Sequence, residues 1–366
     1  MRIGIDAHML GDESGGNESF YDGIIKAMKP DPEDTYILFI KKELSNIPYE
    51  HNYITIRYKS NSAFVRTYIE LPLLCIKYRL DLLHTQYYVP FLRPCKVLVT
   101  IHDISFEHFR KFFSRTEWLK DKILVRHAAK KASRIVTVSE FSADDISEVY
   151  GISRDKISVV YNAAGSEFRK LSKERLQQLN VRNKYSIGDE PYVMFVGNRH
   201  PRKNLKRLFK AFLEYKKTAG TGLKLVIVGK KAWKDDEAAY ISEEDMKSII
   251  LTGYVKRENL VGLLNEAEGL IYPSLFEGFG IPPLEALRCG TRVAVSDIEV
   301  MHEVLGDSAI YFDPKDIGSI VKGIEELLKK EGISLMRGGA EETPHYSWET
   351  EAEKLKDIYK KMCIKR

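Results

Sequence analysis

Cysteine is scarce in this chain: four residues of 366, at Cys75, Cys95, Cys289 and Cys363. None stands in the Cys-x-x-Cys spacing of zinc or dithiol redox sites, so reduced thiols and no structural disulfide are expected. Long hydrophobic runs are missing as well. No stretch approaches the roughly 20 apolar residues that cross a bilayer as a helix. The opening MRIGIDAHML breaks its apolar run at Asp6 and His8 and lacks the apolar core of a secretory signal. A cytoplasmic protein is expected on these grounds, at most peripheral at the inner face of a membrane. No repeat of fixed period is present, which excludes a solenoid. Charge of one sign is not strongly in excess, the net being +5. The basic residues nevertheless cluster in RHPRKNLKR (199–207) and in the tail KKMCIKR, a pattern suited to phosphate-bearing ligands or an anionic membrane surface and not, at this net charge, to nucleic acid.

What is present is ordinary globular composition, with 44% hydrophobic and 30% charged residues, in a chain too long for a single core. Short β-branched runs alternate with segments of helical period: IGIDA, then 18–29; TYILFI; YITIRY, then 62–79; DLLHTQ; KVLVTIHD, then 114–131; RIVTVSE, then 141–149; ISVVYN. Nearly all-apolar strands separated by helices imply a parallel sheet covered on both faces. After a charged, Gln- and Lys-rich stretch the alternation restarts with YVMFVGN, a helix over 203–218, LKLVIVG, IILTGYV, a helix over 257–267, GLIYPS, a helix near 282–289 and RVAVSD. The expectation is an α/β chain of two Rossmann-like, doubly wound domains facing across a cleft: 1–165, a linker over 166–190, and 191–346. A C-terminal helix over 347–366 would complete the first domain. Its main segment, 347–362, follows Pro344, takes Ser347 as N-cap, and runs from acidic to basic as the helix dipole prefers. Ligands of such sheets sit beyond the carboxyl ends of strands.

The most informative segment is YPSLFEGFGIPPLEALRCGTRVAVSD (272–297). A glycine-bearing turn, Glu277-Gly278-Phe279-Gly280, follows a strand and leads through two prolines into Leu284-Glu285-Ala286-Leu287. Glycines at the mouth of a helix let backbone amides approach a ligand, and the helix N-terminus favours phosphate. Two carboxylates eight positions apart suit hydroxyls at different points along one elongated ligand.

Taken whole, EGFGIPPLEALRCGT resembles the Glu-x7-Glu signature of the family 4 (group 1) retaining glycosyltransferases, mannosyltransferases among them, which have the GT-B fold. By that resemblance Glu277 contacts hydroxyls of the transferred sugar and Glu285 the ribose of the nucleotide, with Gly278, Phe279 and Gly280 along the donor. VGNRHPRKNLKRLFKAF (196–212) is similar to the family's segment after the first strand of the donor domain. It implies Lys203 and an arginine, Arg202 or the nearby Arg199, as the cations on the leaving diphosphate, with Gly197 beside the donor. Departure of a diphosphate builds negative charge, which fixed cations oppose. The Gly-Tyr-Val segment implies backbone contacts to the base around Tyr254 and Val255. In the first half, Gly15-Gly16 corresponds to a glycine-rich loop that approaches phosphate, although GGNESFY departs from the usual Gly-x-x-Tyr and leaves Asn17 and Glu18 without an assigned contact. His102-Asp103 in VTIHDISF resembles the family's His-Asp pair, His102 contacting the sugar and orienting the reaction. Ser139 and Asn162 match landmarks, Ser139 serving equally as an N-cap. Tyr87, Tyr88, Phe106 and Phe109 offer aromatic surface for an acceptor. Arg292 stands where the family commonly has proline, for which altered loop rigidity is expected.

No Asp-x-Asp triplet occurs, so the metal site of many other glycosyltransferases has no candidate here. The resemblance therefore implies metal-independent transfer with no cofactor: a hexose passes with retention from a nucleotide-sugar, GDP-mannose being favoured, to a glycan, lipid-linked or small acceptor. Glu277→Ala is expected to abolish transfer with the fold intact. The competing readings are a sugar phosphorylase or a nucleotide-sugar epimerase on the same fold, and a non-catalytic saccharide-binding scaffold.

Overall fold

The apolar runs become strands, the central ones buried on both faces and those at the sheet edges half-buried. The computed structural model describes residues 1–11, 15–41, 53–231, 241–329 and 346–364. It forms two compact units, one of residues 1–163 with 346–366 and one of 164–345. In unit 1 the strands are β1 (Arg2–Asp6), β2 (Thr35–Ile40), β3 (Ile54–Arg57), β4 (Leu82–Gln86), β5 (Lys96–Thr100), β6 (Arg134–Thr137) and β7 (Ile157–Val159). They make one seven-stranded sheet in the order β3-β2-β1-β4-β5-β6-β7, every neighbour parallel. Unit 2 holds β8 (Tyr192–Val196), β9 (Lys224–Val228), β10 (Ile249–Gly253), β11 (Gly269–Tyr272), β12 (Val293–Ser296) and β13 (Ile310–Phe312), ordered β10-β9-β8-β11-β12-β13 and again all parallel. All five residues of β4 and of β8 are buried, as a sheet covered by crossover helices requires.

Each sheet reverses its winding once, between β1 and β4 in unit 1 and between β8 and β11 in unit 2. Open sheets bind ligands beyond the carboxyl ends of strands at such a reversal. The loops after β8 and β11 carry Arg202-Lys203 and Glu277.

Two expectations are corrected. The stretch 166–190 is no linker: Lys173–Leu179 and Val181–Lys184 are helices of unit 2. Arg182 pairs with Glu266 at 2.7 Å, and Gly262 lies so close that an added Cβ would stand 3.0 Å from both Leu179 and Val181. The helix placed at 203–218 starts at Leu205, because Pro201–Lys203 forms a tight 3-10 turn and Asn204 adopts a left-handed conformation, φ 62°.

The helix Trp348–Cys363 belongs to unit 1. Ser347 caps it, accepting from the Thr350 amide at 3.1 Å, while Pro344 and the last two basic-tail residues lie outside the described residues. Its Tyr359 hydroxyl bonds His84 Nδ1 at 2.6 Å, Glu351 accepts from the Tyr161 amide at 2.9 Å, and Lys96 Nζ donates to the Met362 carbonyl at 2.6 Å. No described helix is long and apolar enough to cross a membrane.

Candidate active site

In unit 2 the chain leaves β8 through Gly197, whose φ of 152° puts its amide on the Val228 carbonyl at 2.9 Å. Arg199 continues along the β9 exit, its amide on the Lys230 carbonyl at 3.0 Å. The bend at Pro201–Asn204 then directs Arg202 and Lys203 toward the end of β11. Asn204 fixes that bend from inside: its side-chain amide donates to the Pro273 carbonyl at 3.0 Å and the Pro314 carbonyl at 2.7 Å. The loops after β8, β11 and β13 are thereby held by one buried side chain.

Glu277 is 5% exposed and forms an ion pair with Lys203, itself 6% exposed, through Oε1. Arg202 Nη1 takes the other oxygen at 3.1 Å and also donates to the Phe276 carbonyl at 3.0 Å. Lys203 Nζ donates further to the Tyr272 hydroxyl at 2.6 Å, and the Tyr272 ring stacks on Phe195. Burial acts to raise the Glu277 pKa, but Lys203 and then Arg202 outweigh it and hold the carboxyl at about 2. Two cations on one carboxylate leave a net positive charge beside a residue able to accept hydroxyl hydrogens.

The glycine turn enters the helix Ile281–Arg288 at Gly280, φ 95°, where a Cβ would meet Met301 at 2.4 Å; both the conformation and the space demand glycine. Gly278 and the buried Phe279 precede it. Phe279, 3% exposed, has a ring that belongs to the core, so only its backbone is available. Glu285 stands half-buried in the helix, and burial pushes its carboxyl up to about 7, Arg257 pulling it down and Glu167 up. Tyr254 is exposed with Lys230 Nζ 5.0 Å over its ring, and Val255 beside it is buried. Arg292, the departure from the family pattern, donates to the carbonyls of Glu326 at 3.0 Å and Lys329 at 2.8 Å, closing the end of the helix Ile317–Leu328. Its role is to cap that helix.

In unit 1, Gly15, φ 82°, precedes the helix Gly16–Ala27, and neither Gly15 nor Gly16 has an atom within 4 Å of an added Cβ. His102 lies just past β5, 5% exposed, edge-on to Phe20 at 5.2 Å and beside Tyr87 at 5.7 Å. Burial lowers its pKa to about 4, so the ring is neutral at pH 7. Its Nε2 has no hydrogen-bond partner among the described residues. The same holds for Gln86 Oε1, Thr137 Oγ1 and Asn162 Oδ1, which lie at or just past the ends of β4, β6 and β7. Ser139 is the N-cap of Glu140–Tyr150, accepting from the Ser142 amide at 3.0 Å. Tyr88 donates to Asp121 at 2.5 Å. Phe106 is withdrawn as an acceptor contact: it is 5% exposed and packed in the core of unit 1, because the short turn Ser105–His108 faces it inward.

Sequence reading missed Tyr272, Asn204 and Asp6. Asp6 closes β1 beside the winding reversal, bonded by Tyr58 at 2.8 Å and His8 at 2.9 Å. Burial works against its charge, yet His8, Tyr58 and Arg66 hold its pKa below the usual value. A carboxylate ending an apolar strand run was the available signal.

Two family models divide the chain. Residues 27–166 match Glycosyltransferase Family 4, and residues 177–342 match Glycosyl transferases group 1. Among curated proteins the chain is 29% identical over 279 residues to an O-antigen chain mannosyltransferase B of Escherichia coli, covering 75% of this chain and 72% of that one. It is 31% identical over 248 residues to the O-antigen chain mannosyltransferase RfbU of Salmonella typhimurium, covering 66% and 64%. The solved sucrose-phosphate synthase from Thermosynechococcus elongatus superposes with a TM-score of 0.74 at 17% identity, over 99% of both chains. Two parallel-sheet units, each with its winding reversal, and two family models that between them span both units make the chain a member of the group 1, family 4 glycosyltransferases, with the GT-B fold.

Proposed function

We propose that the protein transfers a hexose, mannose from a GDP-linked donor, to a glycan or lipid-linked acceptor, with retention of configuration and without a metal ion. The observation that carries this reading is the buried group of Glu277, Arg202 and Lys203 at the ends of β8 and β11. Relatives named as mannosyltransferases support the choice of sugar.

In this reading the donor's diphosphate lies against Arg202, Lys203 and the amides of Gly278–Gly280, with Gly197 and Arg199 beside it. Glu277 accepts hydrogen bonds from hydroxyls of the hexose. Glu285 receives the ribose hydroxyls, whose donated bonds favour its charged form. The backbone of Tyr254 and Val255 lies along the base. The bond from the anomeric carbon to the diphosphate oxygen breaks, and negative charge grows where the two cations are fixed in advance. The acceptor hydroxyl attacks from the same face and gives its proton to the departing phosphate oxygen. Neutral His102 offers Nε2 to a substrate hydroxyl, and Tyr87 and Tyr88 offer aromatic surface to an acceptor.

Calorimetry with GDP-, UDP- and ADP-sugars tests the reading, the expected result being binding of GDP-mannose above the others. Absence of binding to every donor overturns it. NMR of the product identifies retained configuration and separates transfer from phosphorolysis or epimerisation. Turnover unchanged by a chelator is the result expected of a metal-independent enzyme.

A further inference from the structure

The last helix of the chain reaches a strand-end group of unit 1 through packed rings. Phe20 lies on the helix Gly16–Ala27 and is buried. Its ring stands between two others, edge-on to His102 at 5.2 Å and edge-on to Trp348 at 6.3 Å. Trp348 opens the helix Trp348–Cys363 and is buried as well. It comes this near because position 23, three residues beyond Phe20 and on the same helix face, is glycine. A Cβ there would stand 2.2 Å from the indole. Glycine is a poor helix former, yet Gly23 sits inside the helix, and the seat for Trp348 accounts for it. The turn that carries Trp348 is fixed on a second side. Buried Glu351 accepts from the Tyr161 amide at 2.9 Å, and Tyr346 packs on the Tyr161 ring at 5.0 Å.

His102 Nε2 has no partner among the described residues, so the rings around the imidazole, and not a hydrogen bond to that nitrogen, set where it points. Tyr87 flanks the imidazole at 5.7 Å and Phe20 meets it edge-on. Edge-to-face contacts fix the angle between rings as well as their distance. A displacement of about 1 Å in a group that orients a reacting molecule costs on the order of 100-fold in rate. We propose that Trp348 is a positioning residue for His102, acting through Phe20, so that the final helix of the chain sets the direction in which His102 Nε2 is presented. This role rests on the reading of His102 as a substrate contact.

The test reads His102 itself in the full chain. With isotope-labelled histidine, and the His102 ring assigned from a His102→Gln variant, long-range proton–nitrogen NMR follows its titration without donor. In the parent the ring is expected to stay neutral down to about pH 5, burial holding its pKa at about 4. In Trp348→Leu the midpoint is expected to rise by roughly one pH unit as water reaches a loosened ring. In the same variant kcat for GDP-mannose hydrolysis is expected to fall about tenfold, with KM and GDP affinity within about twofold of the parent. Trp348→Phe, which keeps a ring against Phe20, is expected to restore kcat to within about threefold. With His102 already replaced by alanine, Trp348→Leu is expected to cost no more than about twofold. Should circular dichroism show Trp348→Leu unfolded, Gly23→Ala, which crowds the indole from the helix it packs on, is read instead with the same expectations. A folded variant whose His102 titrates as in the parent overturns the role. So does an equal loss of kcat with His102 already replaced, which would make Trp348 a structural residue only. A parent that binds no nucleotide-sugar fails the donor reading alone, since the His102 titration needs no donor and still decides whether Trp348 sets that ring.

Discussion

The two units share one architecture and differ in how many buried polar atoms at their strand ends are partnered, Ser274 Oγ of unit 2 lacking a partner too among the described residues. In unit 2 the cluster at the winding reversal is internally satisfied, Glu277, Lys203, Arg202 and Tyr272 meeting one another. In unit 1, Gln86, His102, Thr137 and Asn162 each present a buried atom with no partner among the described residues. An unmet buried polar atom costs about 1–3 kcal/mol. Unit 2 therefore holds a preformed electrostatic cluster at its winding reversal, whereas unit 1 combines paired groups, Asp6 and His84, with uncommitted hydrogen-bonding capacity at other strand ends.

The sharpest way to break this contrast is Glu277→Ala. It leaves two cations beside a buried void and is expected to destabilise unit 2 by about 3–5 kcal/mol in denaturant titration. The structure thus revises the expectation that this variant keeps its fold. Glu277→Gln is the better probe of chemistry, retaining shape and losing roughly 100-fold or more in transfer. An alanine variant as stable as the parent would mean that the ion pair is not a structural element.

His102→Ala reverses the pattern. Because its Nε2 has no partner to lose, stability at pH 7 is expected to change by about 1 kcal/mol or less beyond the loss of packing, while turnover falls roughly 100-fold. Acid separates the units by the same logic. Burial lowers His84 to about 3 and His102 to about 4, below the usual 6.5. The unfolded chain then binds more protons than the folded one as pH drops below 6.5, and each histidine removes up to about 1.4 kcal/mol per pH unit from unit 1 until its folded pKa is reached. Glu277, held at about 2 against a usual 4.5, begins to weaken unit 2 only below 4.5. Hydrogen exchange at pH 7, 5.5 and 4.5 should show unit 1 loosening first; simultaneous loss in both would remove the distinction.

The smallest effect concerns Glu285, whose carboxyl is raised to about 7. Here the folded state holds the proton more tightly, so stability declines as pH rises from 4.5 toward 7. Glu285→Gln is expected to stabilise the empty protein at pH 8 by about 1 kcal/mol and to weaken binding of GDP. Unchanged GDP affinity would detach Glu285 from the ribose.

Much of the fold was legible because strands buried on both faces must be apolar along their length, as in TYILFI and YVMFV. The segment 166–190 was misread because its helices are short and polar, with Leu179 and Val181 packing on Gly262. Glu277, Arg202 and Lys203 could be picked out by family resemblance, but their state could not. A lysine in a basic run reads as solvated, and nothing local announces that Lys203 bonds Tyr272, 69 positions away. Asn204 escaped for the same reason, its acceptors being 69 and 110 positions distant. Phe106 looked available since an aromatic after a strand end reads as surface until the following turn is known to fold inward.

The helix Trp348–Cys363 has a consequence for how the chain is made. It fills a seat in unit 1 where Trp348 comes so near Gly23 that a Cβ there would stand 2.2 Å from the indole, and where Tyr359 completes the His84 pair. The ribosome must therefore release all of unit 2 before unit 1 can close. Unit 2 is the first half able to finish folding, and the nascent unit 1 waits with His84 and the face around Gly23 uncovered until the final helix emerges.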